Sequence, residues 1–346
     1  MSEDTRHDPV VLTWLDRYRG AAMGALVGDA LAMPAHWFYN TGALSRALGR
    51  IDSYRPPPAH HPDSILWRSS YEPADPALDI LGEQRRYWGV RGVHYHQFLG
   101  PGENTLNLKL LNLALEVTVG YGEYRREVYV DAYLEFMLNP GKHRDTYVEE
   151  CHRGFFVNLG RGVAPSRAAV EEKHIGGMVA VVPLYTLLRA LGHGHEDARE
   201  AVVRHVSVTH AGARVREAAL TLLSLAGELG DGPGLAETIR SHLRRQDLPY
   251  LRGPIAAEAE EPVARILGRR YSTACYLEDA MPATFYLALR YAGNPAEGLV
   301  ENTMAGGDNC HRGAVLGALY GAAYGASAFP GRWRDGLISK PPLPAA

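Results

Sequence analysis

Cysteine is scarce: Cys151, Cys275 and Cys310 stand far apart in 346 residues. An odd, widely spaced set excludes a disulfide framework and fits a reducing compartment. An excess of positive charge is also missing. The formal net charge is -3 and the pI about 6.6, so no basic footprint argues for a nucleic-acid partner. There is no uninterrupted apolar span of bilayer length, and no convincing run of alternating strands or fixed-period repeat, which argues against solenoids. The opening MSEDTRHDPVVLTWL has neither a basic n-region nor an apolar h-region. No signal peptide or membrane partner is therefore expected, and the expected location is cytoplasmic. At 46% hydrophobic and 22% charged residues, the composition is that of a soluble globular chain.

What the sequence has is helical periodicity. Apolar residues recur at spacings of three and four near 12–33, 105–121, 126–138, 177–191, 196–207, 211–228, 233–245, 280–292, 295–305 and 312–327. The expectation is all-α, a single domain over 1–346. An irregular loop about 50–80 follows from the prolines of RPPPAHHPDS and EPADPAL, and the tail SKPPLPAA, about 336–346, is expected to fray. Two helices carry glycine every fourth residue: Gly20, Gly24 and Gly28, then Gly313, Gly317, Gly321 and Gly325. Each glycine costs a helix about 0.8–1 kcal/mol against alanine. Residues four apart share a face, so the stripes predict two helices in close backbone contact.

Polar residues gather at four places beside glycine or proline: GDALAMPAH, HYHQFLGPGENTLN, SVTHAGARVREAA and GGDNCHR. Taken singly, Asn104 and Asp308 read as helix N-caps, His210 as a cap or a satisfied core imidazole, and Cys310 as a small core residue. Asp29 is different. A carboxylate after a glycine stripe lies where two backbones meet and needs a partner there. His94 and His96 resemble a metal pair, but that spacing on a helix points them apart, so both read as structural.

Together these segments resemble the ADP-ribosylglycohydrolases, including the dinitrogenase reductase-activating glycohydrolases. RGAAMGALVGDALAMP is similar to the family's opening G-x-x-x-G-D-A-L-G-x-P. GENTLNLKLLNLALEV stands at the T-D-D-T helix, and IGGMVAVVPL resembles the N-G-x-x-M-R-x-x-P segment. SVTHAGARVREAA is similar to T-H-x-x-P-x-A, and ENTMAGGDNCHRGAVLGALYGAAYG to the closing G-G-D-T-D-T-x-x-x-x-x-G-A-x-x-G-A. The resemblance covers most of the chain. It implies an all-α fold and hydrolysis of a glycosidic bond in a small-molecule or ADP-ribosylated substrate.

The departures fall on the chemistry. The resemblance implies two Mg²⁺ ions between the T-D-D-T and D-x-D-T motifs, with a glutamate after the first proline. Here those positions hold Gly102, Glu103, Asn104 and Thr105, then Asp308, Asn309, Cys310 and His311, with His36 in the glutamate's place; the central arginine falls at Ala180. Mg²⁺ demands hard oxygen ligands in octahedral geometry, so a standard pair is not expected. Glu103, Asp308 and His36 are the catalytic candidates. Asn104, Thr105, Gly307, Asn309, His311, Arg312 and Gly176 are the substrate-binding candidates, supported from behind by Asp29 and His210. Three readings stay open: a divergent glycosyl hydrolase without the Mg²⁺ pair, a single other divalent metal such as Zn²⁺ on Glu103, Asp308, Cys310 and His311, or a non-catalytic ligand-binding or structural member, as in the lens crystallins similar to this family. The leaving group and the oligomeric state are left open.

Overall fold

The computed structural model describes residues 12–139, 141–230 and 234–344. It is predominantly helical. In chain order the helices are α1 (Trp14–Ala32), α2 (Thr41–Leu48), α3 (Leu106–Tyr121), α4 (Arg126–Leu138), α5 (Glu150–Gly160), α6 (Val181–Ala190), α7 (His195–Val206) and α8 (Ala213–Glu228). The second half adds α9 (Leu235–Arg245), α10 (Ile255–Glu258), α11 (Val263–Ile266), α12 (Leu277–Arg290), α13 (Pro295–Met304), α14 (Asn309–Tyr324) and α15 (Gly331–Gly336). Among the described residues the only strands are β1 (Val170–Glu171) and β2 (His210–Ala211), a parallel pair with Val170 opposite His210. No described helix is long and apolar enough to cross a membrane.

The centre of the fold is the antiparallel pair α1 and α14, both almost entirely buried. A Cβ on Gly20 would lie 2.0 Å from the Gly321 carbonyl oxygen, one on Gly24 2.0 Å from that of Gly317, and one on Gly28 2.1 Å from that of Gly313. The absent side chains let the backbones touch, as the stripes imply. Gly325 is the exception. It sits at φ 76° as the C-cap of α14, a left-handed position that favours glycine, so it ends the helix instead of extending the stripe. Around this pair pack α6, α12 and α13.

Local chemistry sets the start of α1. The Thr13 side chain accepts from Asp16 N, and the Asp16 carboxylate accepts from Thr13 N, a capping box. Thr13→Ala is expected to lower stability by about 0.5–2 kcal/mol, read from the urea midpoint at unchanged m-value.

Residues 50–80 are irregular apart from short 3₁₀ turns at Leu66–Arg68 and Pro76–Leu78. The tail differs from expectation up to Pro342. Ile338 N donates to Gly102 O at 3.0 Å, the Tyr18 hydroxyl donates to Pro342 O, and Leu337 is buried. Its prolines prevent helix, but the core receives it as an extended strap; residues 345–346 lie outside the described residues.

Candidate functional site

Two glycines bring the head of α14 into the core. Gly306 and Gly307 hold φ near +65°, and a Cβ on either would lie 2.0–2.1 Å from the carbonyl oxygen of Phe38 or Thr273. Backbone bonds from Gly307 N to Phe38 O (2.7 Å) and Asp308 N to Thr273 O (2.8 Å) fix the turn. Asp308 then caps α14 by accepting from His311 N, at 3.4 Å. The cap reading and the site reading of Asp308 both apply, because the same carboxylate also faces two imidazoles.

Those contacts open a buried polar row. Asp308 Oδ1 lies 2.9 Å from His311 Nδ1 and 3.1 Å from His36 Nε2. His36 Nδ1 lies 2.7 Å from His96 Nε2, and His96 Nδ1 lies 2.7 Å from Asp145 Oδ1. Lys109 Nζ donates to Asp145 at 3.3 Å and to Glu103 at 3.1 Å. At the other end His311 Nδ1 lies 3.6 Å from Glu149 Oε1, and Asn107 Nδ2 donates to Glu149 Oε2 at 2.6 Å. Asp308 and Asp145 have no exposed surface.

The charges follow from this arrangement. Burial opposes the charged form of His311, but the Asp308 and Glu149 carboxylates prevail and raise its pKa to about 10. Burial would raise Asp308, yet the His311 charge and the hydrogen bonds from His311 and His36 hold it well below the usual carboxylate range. For His36 burial wins over Asp308, and its pKa falls to about 3. Because the folded pKa of His311 lies above the ordinary value of about 6.5, its stabilising effect is complete below about pH 6.5 and lost as pH rises through about 10. Denaturation from pH 6 to pH 10 is expected to show a stability decline that His311→Gln flattens.

Several expected roles change. Glu103 does not meet Asp308; the hydrogen-bonded route between them passes through Lys109, Asp145, His96 and His36. Its carboxylate is occupied by Gly100 N, Lys109 and Arg144, because the Gly100–Gly102 turn directs it towards Lys109. Cys310 is a thiol in an apolar cluster with Ala32, Met33 and Leu99. Burial, then Asp29 and Asp308, push its pKa well above the ordinary value, and its Sγ donates to Asp29 O at 3.7 Å. Its Sγ also lies within 4.8 Å of ring nitrogens of His36 and His96, so its place beside those imidazoles is settled by what they bind, not by its burial.

Arg312, expected to face substrate, is fully buried, and burial lowers its pKa to about 10. It holds the glycine turn through Asn302 Oδ1 (2.7 Å) and Gly306 O (2.9 Å). Asn309 Nδ2 likewise donates inward, to Thr303 O at 2.9 Å. Asn104 Nδ2, Thr105 N and Thr105 Oγ1 all donate to the Asp29 carboxylate, at 2.9, 2.9 and 2.6 Å. Asp29 therefore ties the start of α3 to α1, the partner its position demanded. Gly176 makes room for the site, since a Cβ there would lie 2.5 Å from Glu149 Oε2. His210 lines a small cavity of about 40 Å³ with Asn107, His152 and Gly176.

Sequence reasoning missed His96, Asp145, Lys109 and Glu149. His96 lies in a turn and His94 just ahead of it, neither on a helix, and the neighbouring Gly89, Gly92 and Gly100 were the available signal. His94 keeps its structural role: its Nδ1 accepts from His96 N at 3.0 Å. A groove of about 570 Å³ is lined by Glu150, Glu171, Glu172, Lys173, His174, Arg214 and Tyr276, among others; Glu149 precedes its Glu150 in the chain and does not itself line it. Both Glu149 and Asp308 act electrostatically on His174.

An all-α fold built on two glycine-striped helices, with its polar site at the head of the second, defines a class. The family model for ADP-ribosylglycohydrolase matches residues 11–343, and the chain belongs to that family. A solved structure titled an ADP-ribosylglycohydrolase-related protein complex shares the fold at TM-score 0.60 and 21% identity, covering 94% of this chain and 93% of its own. No curated protein matches this chain in sequence. The donor set does not fit the Mg²⁺ pair: the matching positions offer imidazole nitrogens at His36 and His311, an amide at Asn104 and a thiol at Cys310, whereas Mg²⁺ takes hard oxygens.

Proposed function

We propose that this chain hydrolyses a glycosidic bond of an ADP-ribosyl or related ribosyl substrate, in the groove beside Glu149 and without the Mg²⁺ pair. The observation that carries this reading is the placement of Glu149, a carboxylate that retains a little exposure (8%) while backed by the buried His311–Asp308 pair. Water attacking an anomeric carbon needs a base, and a carboxylate can take its proton. Glu149 is the base in this reading. The imidazolium of His311 supplies positive charge behind it, and Asp308 and His36 act as positioning residues. Lys173 lies over the Tyr276 ring at 4.7 Å, and Arg214 is paired with Glu278. To meet a phosphate both would have to turn from these partners, and from Glu150, Glu171 and Glu172 around them; the Tyr276 ring, 42% exposed, would then offer a stacking surface.

The test is release of ribose or ADP-ribose from a panel of N- and O-linked substrates in buffer containing EDTA. Glu149→Gln is expected to reduce turnover 10²–10⁴-fold while leaving substrate affinity within a few-fold. A second reading, ligand binding without turnover, is favoured by the complete enclosure of Asp308. Binding of ADP-ribose with no product from any substrate supports that reading and ends the first.

A further inference from the structure

We propose that protons stand where the family resemblance puts divalent ions: the row Asp145–His96–His36–Asp308 holds three protons, one in each hydrogen bond, and admits no divalent metal. The inference concerns the charge state of the site and holds whether or not the chain turns over a substrate.

The geometry of the two imidazoles decides it. The His36 and His96 rings are parallel to within 3°, with centroids 5.0 Å apart, and their facing nitrogens are 2.7 Å apart. The centroid separation exceeds the nitrogen separation by two ring radii, so both nitrogens lie on the line joining the ring centres. Each is aimed at the other. Ligands of a shared metal would instead converge on a third point, at Zn–N distances of about 2.0–2.1 Å. His36, Asp308 and His311 do bring ligand atoms within 4.8 Å of one another, but there each imidazole nitrogen faces a carboxylate oxygen at hydrogen-bond distance, 3.1 and 2.9 Å. Two imidazole nitrogens this close need a hydrogen between them. The outer nitrogens face the carboxylates of Asp145 and Asp308 at 2.7 and 3.1 Å, and each of those links needs a hydrogen too.

Three links therefore hold three protons, whereas two neutral imidazoles bring only two. The third proton belongs to the row as a whole. Two carboxylates, two imidazoles and one extra proton carry a net charge of minus one, wherever each proton sits within its link. The His311 imidazolium on Asp308, Glu149 on His311, Lys109 on Asp145 and Glu103, and Arg144 on Glu103 bring the connected set to neutrality. A divalent ion entering this buried row would leave two positive charges uncompensated, or would have to expel protons and break links. Burying unpaired charge is costly. The third nearby donor, Cys310, keeps its proton on Asp29 O, so no thiolate compensates an incoming ion.

The full-length protein tests this directly. Metal content is measured after dialysis against Mg²⁺, Mn²⁺ or Zn²⁺, the melting temperature is measured with each ion and with EDTA, and imidazole N–H groups are detected by ¹⁵N NMR. The expected result is substoichiometric metal, no shift in melting temperature, and three protected ring N–H signals from His36 and His96. In His96→Phe these signals are expected to fall to one or none; if that variant does not fold, the measurements on the parent protein decide. Retention of one or two equivalents of any of these ions, lost in Asp308→Asn, would overturn the proposal. So would fewer than three such N–H signals in the folded parent. Absence of hydrolysis alters none of these readouts, so failure of the catalytic reading is distinguishable from failure of this one.

Discussion

Replacing Gly317 by alanine is expected to destabilise the protein by about 3 kcal/mol or more, at or beyond the upper end for over-packed cores. The added Cβ would lie 2.0 Å from the carbonyl oxygen of Gly24. The obstacle is backbone, so no side-chain rotamer relieves it. α1 and α14 would have to separate along their whole length, because Gly20–Gly321 and Gly28–Gly313 approach just as closely. Gly24→Ala is expected to act alike, and the double variant is expected to cost less than the sum of the two, since one separation relieves both clashes. Gly120 is the control. It lies in α3, where a Cβ meets nothing within 4 Å, so Gly120→Ala is expected to stabilise by up to about 1 kcal/mol. Urea denaturation of the four variants and the parent measures this; a Gly317→Ala protein melting with the parent would mean that the helices do not touch.

The same stripes explain why so much of the fold was legible. A period of four is a statement about one helical face, and it survives without any knowledge of the partner. Ten helices were readable from apolar spacing for the same reason. The misses have physical causes. α2 buries only Leu44, so it carries almost no apolar stripe and rests on its Asn40 cap. α12 begins at Leu277, ahead of Pro282, and α14 begins at Asn309 inside the polar cluster, so periodicity located both starts late.

The site was half legible. Asp308, His36 and Asp29 stand in motifs beside glycine and proline, where local sequence constrains the backbone. Glu149 and Asp145 stand in no motif. They reach the site because the loop before α5 returns to α3, placing Glu149 on Asn107 and Asp145 on Lys109 across 42 and 36 residues. Nothing in the spacing of either residue announces that return. The error on His96 came from carrying helix geometry into a turn.

Asp308→Asn is expected to be the most damaging isosteric change in the site. The carboxylate accepts from His36 Nε2, His311 Nδ1 and His311 N. An amide keeps the shape but presents hydrogens on one side and loses the charge, stripping a buried imidazolium of its closest partner. Breaking a buried pair from one side costs about 3–5 kcal/mol. His311 is then expected to titrate well below its parent value of about 10, which NMR of its ring detects independently of folding stability. If the chain is a hydrolase, turnover is expected to fall 10²–10⁴-fold, because Glu149 loses its ordered cationic neighbour. Two controls separate this from general damage. Cys310→Ser keeps a donor for Asp29 O and is expected to cost about 1 kcal/mol with activity near the parent's. Glu103→Gln weakens the contacts to Lys109 and Arg144 on the far side of the row, and is expected to leave turnover within a few-fold. Equal losses in Glu103→Gln and Asp308→Asn would restore Glu103 to the catalytic centre and refute the arrangement of roles drawn from Glu149 and His311.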